Sequence, residues 1–460
     1  MAWNLINMYR EKLCTAAEAV EGIQSGAWID YGLFNGKPVA CDKALADRKD
    51  DLHDIVIVTA VTVPPVPEVI VRDPEGKVFT FLDYHFGPIT RVMQDMRPNV
   101  FYNPMQYGES ESYFELAATE DKNKIGFRNR DVFIVRTAPM DENGYFNWGI
   151  HNSLSSVQAK TAATVIVEIN HNIPVALGGC RESIHISEVD HIVEGDGEAL
   201  AELPILEPTE VDQKIASHVI EHLTDGCCIQ LGIGGLPNAL GQLINQSDLK
   251  ELGANTEMLV DAYMALWESG KLTNRMKKID RGKTVYTFAL GSKKLYDWVH
   301  DNPALASCDV DYANHPLHLS QIDKLISINQ ALQVDLYTQV SAESSGFKQI
   351  SGNGGMWDYT CGAFWSPGGR SLICLPSTHR NKNGVVESRI VPFFQPGTIT
   401  TLTRVMINYI VTEFGWISLK GDSTWIRAEK IISIAHPDFR DELIKAAEEQ
   451  KIWHRSNKIS

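Results

Sequence analysis

The sequence contains one pattern twice, over residues 15–38 and 209–237. In each copy a helix-like segment leads into a short β-like run, then a glycine-rich turn, then a proline suited to the start of another helix. An internal repeat of this kind indicates two structural units with one fold. The 460 residues leave room for roughly two to four domains, and the repeat favours two. We predict one domain over 1–205 and another over 206–460, joined by the proline-containing segment 203–208.

Each copy opens with the same helix-start signal. In the first copy, Thr15 and Glu18 have the spacing of a capping box, in which two side chains satisfy free N–H groups at the start of a helix. Thr209 and Asp212 repeat that spacing in the second copy. We expect a glycine to end each helix: Gly26 in the first copy and Gly226 in the second.

Continuous β-branched runs indicate strands that are buried on both faces, as in a parallel sheet. Helix-like stretches separate these runs, so we predict two open α/β domains. The predicted strands are 54–59, 131–136, 164–168, 409–412 and 430–434.

The net charge limits the classes of partner. Lys and Arg number 42 and Asp and Glu number 58, which gives a formal charge of −16. An acidic surface repels phosphate backbones, so we expect no nucleic-acid partner. A small anionic ligand can still bind at one local site.

Sequence features also argue against secretion and membrane insertion. The first residues lack the basic and apolar regions of a signal peptide, and prolines interrupt the apolar stretch 55–71, so it is too broken to span a bilayer. We therefore expect a cytoplasmic protein whose cysteines, none in a CxxC motif, are reduced core residues. They are Cys14, Cys41, Cys180, Cys227, Cys228, Cys308, Cys361 and Cys374.

Two glycine-rich segments are candidate anion sites. Gly232–Pro237 follows a predicted strand and precedes a helix, so its backbone N–H groups suit phosphate or carboxylate oxygens. Its GxGGxP pattern is not the dinucleotide fingerprint, and a tight strand-to-helix turn explains it equally well. Segment 351–358 offers N–H groups for an oxyanion hole, with a flexible turn as the alternative.

A single carboxylate, Glu257, stands in a short apolar run. Burying an unpaired carboxylate is costly. Glu257 therefore lies either on an exposed edge or among donors that keep it ionised for use as a nucleophile.

Several histidines occur near acidic residues or prolines, but none has a metal-ligand spacing on a helix. We predict structural or solvent-facing histidines and no metal site. The histidines concerned are His185, His191, His315, His379 and His436.

Six motifs follow one another in the order found in a known family. They are Tyr31–Ala46, Pro139–Tyr145, Gly232–Pro237, Thr256–Met258, Gly354–Gly355 and Tyr409–Arg440. Together they resemble the acetyl-CoA hydrolase/transferase group of family I CoA-transferases over nearly the whole chain. Within that group, Asp280-Arg281, Lys294–Pro303 and Ile452–Asn457 make the chain most similar to the butyryl-CoA:acetate CoA-transferases.

The resemblance implies a fold, a reaction and partners. It implies two structurally related open α/β domains of the CoA-transferase type, the second carrying a catalytic glutamate that matches Glu257. CoA would move between a short-chain acyl-CoA and a carboxylic acid by ping-pong chemistry through a glutamyl-CoA thioester. Coenzyme A is then both substrate and covalent intermediate, and no prosthetic group is implied. Relatives suggest a homodimer or a homotetramer.

The same resemblance implies roles for particular residues. The Asn314 amide and the Gly355 N–H would stabilise the oxyanion beside Glu257. CoA would lie against Gly232, Gly234, Gly235 and Gly354. The acyl pocket would be lined by Phe34, Asn35, Gly36 and Met356.

One position departs from the family pattern. Met356 stands where butyryl-type relatives usually carry glutamine, so the preferred acid is open. Alternative activities are 4-hydroxybutyrate or propionate CoA transfer and acyl-CoA hydrolysis, and a non-enzymatic alternative is a small-ligand sensor on a related fold. Sensors of that kind usually carry a DNA-binding module, for which the sequence gives no signal.

Overall fold

A computed structural model describes residues 2–119, 128–179 and 181–454. Cys180 and residues 455–457 of the last family motif lie outside the described residues. The chain forms two compact units, Met1–Leu203 with Val285–Ala313, and Pro204–Thr284 with Asn314–Ser460. The predicted domains were continuous, whereas residues 285–313 belong to the first unit.

The helices in the described part of the chain follow in order. They are α1 (Ala2–Lys12), α2 (Ala16–Glu21), α3 (Ala40–Asp47), α4 (Glu68–Val71), α5 (Pro88–Met96), α6 (Ser110–Thr119), α7 (Ser155–Thr161), α8 (Glu210–Val219), α9 (Gly235–Gln246), α10 (Asp261–Glu268), α11 (Lys293–Val299), α12 (Val310–Asn314), α13 (Pro316–Leu319), α14 (Met356–Trp365), α15 (Thr424–Ser433) and α16 (Pro437–Glu449).

The strands alternate with these helices along much of the chain. They are β1 (Trp28–Tyr31), β2 (Ile55–Thr59), β3 (Phe79–Asp83), β4 (Val100–Tyr102), β5 (Val132–Thr137), β6 (Tyr145–Asn147), β7 (Thr164–Ile169), β8 (Ser183–His185), β9 (His191–Glu194), β10 (Cys228–Leu231), β11 (Gly253–Ala254), β12 (Met258–Leu259), β13 (Thr284–Tyr286), β14 (Phe288–Ala289), β15 (Leu305–Ser307), β16 (Leu325–Gln330), β17 (Gln333–Asp335), β18 (Val340–Ser341), β19 (Ser344–Ser345), β20 (Lys348–Gln349), β21 (Arg370–Cys374), β22 (Thr378–Arg380), β23 (Val386–Ser388), β24 (Ile390–Val391), β25 (Tyr409–Thr412) and β26 (Gly415–Ser418).

The first unit is built on a parallel sheet of order β4-β3-β2-β1-β5-β7-β9. Apolar residues fill both faces of this sheet. Ile134 and Ile166 belong to one buried cluster, whereas Phe133 and Val165 belong to another. Because neighbouring residues of one strand point to opposite faces, a continuous apolar run fits a strand that is buried on both sides.

The second unit is built on a sheet of order β11-β10-β16-β21-β25-β26. All neighbours are parallel except the β25–β26 hairpin. The order of the strands reverses between β10 and β16, and such a reversal leaves a crevice at the carboxyl ends of the strands. Both units are thus open α/β structures, which confirms the predicted fold class.

Both capping boxes are present. The Thr15 hydroxyl accepts the Glu18 N–H while the Glu18 carboxylate accepts the Thr15 N–H, and Thr209 and Asp212 repeat this exchange. Each box starts a helix that leads into the first strand of its unit's repeat, so the local signal was sufficient to find both copies.

The predicted helix ends were wrong. Helix α2 stops at Glu21 and helix α8 at Val219, several residues before the glycines. Gly26 and Gly226 instead adopt positive φ angles of 82° and 73° in the turns that enter β1 and β10. Glycine is favoured there because a side chain strains that backbone region.

The predicted strand at 430–434 was also wrong, because these residues lie mostly in helix α15. Ala428, Ile431 and Ile432 are buried on one helix face, a spacing that a short apolar run does not reveal. The Ser423 hydroxyl accepts the Ile426 N–H and caps the helix.

The described cysteines are all free thiols. Five of them are buried, whereas Cys14 and Cys361 are partly exposed. Among the helices that the structure describes, none is long and apolar enough to cross a bilayer.

The capping box of α8 gives a local stability prediction. Replacing Thr209 by Ala removes the acceptor for the Asp212 N–H, which typically costs about 1 kcal/mol. We expect faster amide hydrogen exchange within α8 in Thr209→Ala. The matched variant Thr15→Ala should affect α2 and leave α8 unchanged. Unchanged exchange of α8 in Thr209→Ala would show that the cap does not limit its opening.

Candidate active site

The candidate site lies at the carboxyl ends of the parallel strands of the second unit. The glycine-rich turn Gly232–Gly235 follows β10, and Glu257 follows the neighbouring strand β11. The Thr256 hydroxyl lies 3.4 Å from the Leu231 carbonyl oxygen, so the two loops meet where β10 ends. Strand β10 borders the strand-order reversal, and open α/β sheets bind ligands at the carboxyl ends of the strands there.

The Glu257 carboxylate accepts two hydrogen bonds. Asn314 donates one from its Nδ2 to Glu257 Oε2 at 2.6 Å, and the backbone N–H of Gly355 donates to the same side chain. Gly355 is the N-cap residue of α14. The carboxylate therefore sits at the positive end of a helix, where a negative charge is stabilised.

Close contact explains why position 355 is glycine. A Cβ atom built there would overlap Glu257 Oε2 and Asn314 Nδ2. The preceding residue, Gly354, has a positive φ of 49° in the turn that delivers the Gly355 amide. Gly355 and Asn314, which the family resemblance brought forward, thus adjoin Glu257 in space.

Packing of two helices holds the donors beside each other. Helix α13, which begins just after Asn314, packs against α14, and a Cβ atom at Gly362 would collide with the Leu319 side chain. Glycine at this position lets the two helices approach closely. The separation of Asn314 from the start of α14 is therefore fixed by the core of the unit.

Burial controls the acidity of Glu257. Removal of the carboxyl group from water raises its pKa from 4.5 to about 7, although the hydrogen bonds from Asn314 and Gly355 lower it. The sequence left two positions open for Glu257, an exposed edge or a place among donors, and the carboxylate lies among donors. Those donors do not return its pKa to the ordinary value. A carboxyl group near pKa 7 is poised to exchange between its two states at neutral pH.

Two buried tyrosines near Glu257 were missed by the sequence analysis. Tyr263 of α10 accepts the Leu231 N–H at 2.7 Å, and Tyr359 of α14 accepts a hydrogen bond from Asn255 Nδ2 at 3.1 Å. Both tyrosines are fully buried. In the sequence each is one aromatic residue in an apolar helix, a pattern that signals only a core position.

The three predicted CoA-binding glycines of the turn have different surroundings. Gly232 has open space where a Cβ would lie, and Gly234 has a φ of 116° as the N-cap of α9. A Cβ at Gly235 would overlap the Asp212 carboxylate of the α8 capping box. Glycine at 235 is therefore needed for helix packing, whereas glycine at 234 is favoured by its backbone conformation.

Two of the predicted acyl-pocket residues are enclosed within the first unit. Phe34 stacks on Phe288 with ring centroids 4.1 Å apart. Asn35 is fully buried, and its amide group exchanges two hydrogen bonds with the backbone of Ala201. The polar atoms of Asn35 are thus used within the protein.

Gly36 and Met356 lie in different units. Gly36 adjoins the His151 ring, which a Cβ atom would overlap. Met356 follows Gly355 at the start of α14 and packs into the apolar cluster of the second unit. Their role in an acyl pocket stays a prediction.

Three histidines cap the starts of helical segments. His185, His315 and His436 each accept a backbone N–H two residues ahead through Nδ1. This use of the ring nitrogen agrees with the structural role predicted for them.

One group of three carboxylates has the mutual distances of a cation site. Glu111, Asp309 and Asp311 lie together in the first unit. Arg181 forms ion pairs with all three, so a guanidinium already occupies the position of a metal ion.

The chain matches the models of two domains of one known protein family. The acetyl-CoA hydrolase/transferase N-terminal domain model matches residues 4–204, and the C-terminal domain model of that family matches residues 291–447. The butyryl-CoA:acetate CoA-transferase of Anaerostipes caccae is 46% identical over 453 residues, covering 98% of this chain and 99% of that protein. The chain belongs to the acetyl-CoA hydrolase/transferase family.

Two further proteins are similar to the chain over nearly its whole length. The probable butyrate:acetyl-CoA coenzyme A-transferase of Syntrophomonas wolfei is 44% identical over the full length of both proteins. The crystal structure of RipA from Yersinia pestis has a TM-score of 0.88 and 36% identity, covering 97% of this chain and 99% of that one. Family membership thus rests on sequence and on fold together.

The raised pKa of Glu257 predicts a stability gain in a variant. The folded protein holds this proton more tightly than the unfolded chain, so the carboxyl group destabilises the fold increasingly from about pH 4.5 to pH 7, and fully above pH 7. At 1.36 kcal/mol per pKa unit the penalty is roughly 3 kcal/mol at most. We expect Glu257→Gln to unfold at a higher temperature than the wild type at pH 8, with a smaller difference at pH 5.

An exposed glutamate on α16 provides the control. Glu442→Gln changes the net charge by the same amount at the surface and should show no such pH-dependent gain. If the two variants behave alike, the Glu257 carboxyl group is not the origin of the effect.

Proposed function

We propose that this protein transfers coenzyme A between short-chain acyl groups, with butyryl-CoA and acetate giving butyrate and acetyl-CoA. The observation that carries the proposal is the partly buried Glu257 carboxylate held by Asn314 and Gly355. The near full-length identity with the butyryl-CoA:acetate CoA-transferase of Anaerostipes caccae supports this choice of substrates.

The proposed chemistry proceeds through Glu257. Its carboxylate attacks the acyl-CoA carbonyl and expels CoA thiolate, which leaves an acyl-glutamyl anhydride. The thiolate then attacks the glutamyl carbonyl and releases the first acid, so a glutamyl-CoA thioester remains. The second acid attacks that thioester, CoA thiolate leaves, and the thiolate attacks the new anhydride to give the second acyl-CoA and free Glu257.

The side chain must be a carboxylate for this reaction. A mixed anhydride preserves the free energy of the thioester, whereas an ester of serine would dissipate it. Each attack places negative charge on a carbonyl oxygen, and oriented N–H donors lower the energy of that charge. In this proposal the Asn314 amide and the Gly355 N–H are those donors.

The turn Gly232–Gly235 is the proposed site of CoA contact. The first N–H groups of the twelve-residue helix α9 point out from this turn, and such groups bind anionic oxygens. CoA is an anion and the protein has a net charge of −16, so the two repel each other at long range. Backbone donors of this kind act locally and can still bind the anionic oxygens of CoA.

This mechanism needs no prosthetic group, since coenzyme A is the substrate and the covalent intermediate. A cytoplasmic location and a homodimeric or homotetrameric state accompany the proposal. Size-exclusion chromatography with light scattering measures the assembly directly.

A trapped intermediate tests the proposal. We expect protein incubated with butyryl-CoA and no acceptor acid to carry one CoA as a thioester on the peptide containing Glu257, seen by mass spectrometry. Addition of acetate should discharge it as acetyl-CoA. Glu257→Gln should form no adduct and transfer no CoA.

Hydrolysis is the outcome that would contradict transfer. A site that forms an anhydride must exclude water. If butyryl-CoA releases free CoA at the same rate with and without acetate, water is the acceptor and the protein is an acyl-CoA hydrolase.

The acidity of Glu257 also predicts the pH dependence of the reaction. Only the ionised carboxylate attacks, and its pKa is about 7 in the folded protein. We expect kcat/KM for butyryl-CoA to fall about tenfold per pH unit below pH 7. A rate that stays level down to about pH 5 would mean that the reacting group has an ordinary carboxylate pKa.

A further inference from the structure

The backbone on the N-terminal side of Glu257 has little strand pairing to hold it. Strand β11 is two residues long, and its ladder with β10 ends at Ala254. Asn255 still donates its N–H to the Ile229 carbonyl, at a long 3.4 Å. A nucleophile needs a more exact position than this, because small displacements of reacting atoms cost large factors in rate.

Helix α14 touches this segment twice. Its N-cap residue Gly355 donates to the Glu257 carboxylate, and Tyr359, one helical turn further on, accepts from Asn255 Nδ2. The Tyr359 N–H bonds to the Gly355 carbonyl at 2.9 Å, so the helix itself fixes the spacing of the two contacts. Asn255 and Tyr359 are both fully buried, so bulk water does not compete for this bond.

Helix α10 provides further contacts to this region through Tyr263. Tyr263 accepts the Leu231 N–H and is hydrogen-bonded to the Thr256 hydroxyl. Thr256 Oγ1 also lies 3.0 Å from the Met258 carbonyl. The hydroxyl of Tyr263 therefore links the end of β10 to the residue before Glu257.

We propose that Tyr359 and Tyr263 are positioning residues that hold residues 255–257 so that the Glu257 carboxylate faces its donors and the thioester. The catalytic part of this inference rests on the proposed function. Neither tyrosine is required to touch the substrate, because each acts through the segment that carries Glu257.

The first test is a double-mutant cycle for transfer of CoA from butyryl-CoA to acetate. We expect Tyr359→Phe and Asn255→Ala each to lower kcat about tenfold, with KM for butyryl-CoA within about twofold. The double variant should be no slower than the slower single variant, because both changes remove the same hydrogen bond, the one between Asn255 and Tyr359. Tyr263→Phe and Thr256→Val should form a second such pair.

Tyr84→Phe is the matched control. Tyr84 is a buried tyrosine of the first unit whose hydroxyl accepts a hydrogen bond from Arg130. It should keep the wild-type kcat. The proposal is overturned if Tyr359→Phe has the kcat of this control, or if the effects of Tyr359→Phe and Asn255→Ala simply multiply.

A second readout does not depend on transferase activity. If the tyrosines hold the carboxyl group in its partly buried position beside its donors, the gain in unfolding temperature from Glu257→Gln at pH 8 should shrink in the Tyr359→Phe background. An undiminished gain would overturn the proposal. If the wild type transfers no CoA but the gain shrinks, the positioning stands and the proposed reaction fails. If Tyr359→Phe does not fold, both measurements are made on Asn255→Ala instead.

Discussion

The carboxyl group of Glu257 is largely shielded from water, and among the described residues its hydrogen-bond donors are neutral dipoles. One amide side chain and one helix N-terminal N–H point at its oxygens. Neutral donors hold the carboxylate in place without matching its full charge, so its pKa stays raised. This combination keeps the group accessible to chemistry, whereas an ion pair with arginine would make it a weak nucleophile.

The parallel sheet explains how distant segments reach this carboxyl group. Strands β10, β11 and β16 run in the same direction, so the loops that follow them open at one edge of the sheet. Gln330, at the end of β16, donates to the Ile233 carbonyl of the glycine-rich turn at 3.0 Å. Helix α14 then approaches the same edge with its N-terminus. The site is therefore a consequence of strand order together with the close packing of α13 on α14.

Local signals predicted the parts of this structure that depend on neighbouring residues. The capping boxes at Thr15 and Thr209 and the buried strand 409–412 were confirmed because their patterns are complete within a few residues. The run 430–434 was ambiguous because three isoleucines within five residues fit either a strand or one face of a helix, and the deciding cap at Ser423 lies outside the run.

The sequence by itself determined the two α/β units, the glycine-rich turns and the isolation of one carboxylate in an apolar run. Only the tertiary structure decided that residues 285–313 belong to the first unit and that Tyr263 and Tyr359 hydrogen-bond to the segment leading to Glu257. Asn314 lies 57 residues from Glu257 along the chain, and only the resemblance to known transferases named it in advance. Spacing does not encode such a contact, because it arises when a parallel sheet aligns the ends of strands that are far apart in sequence.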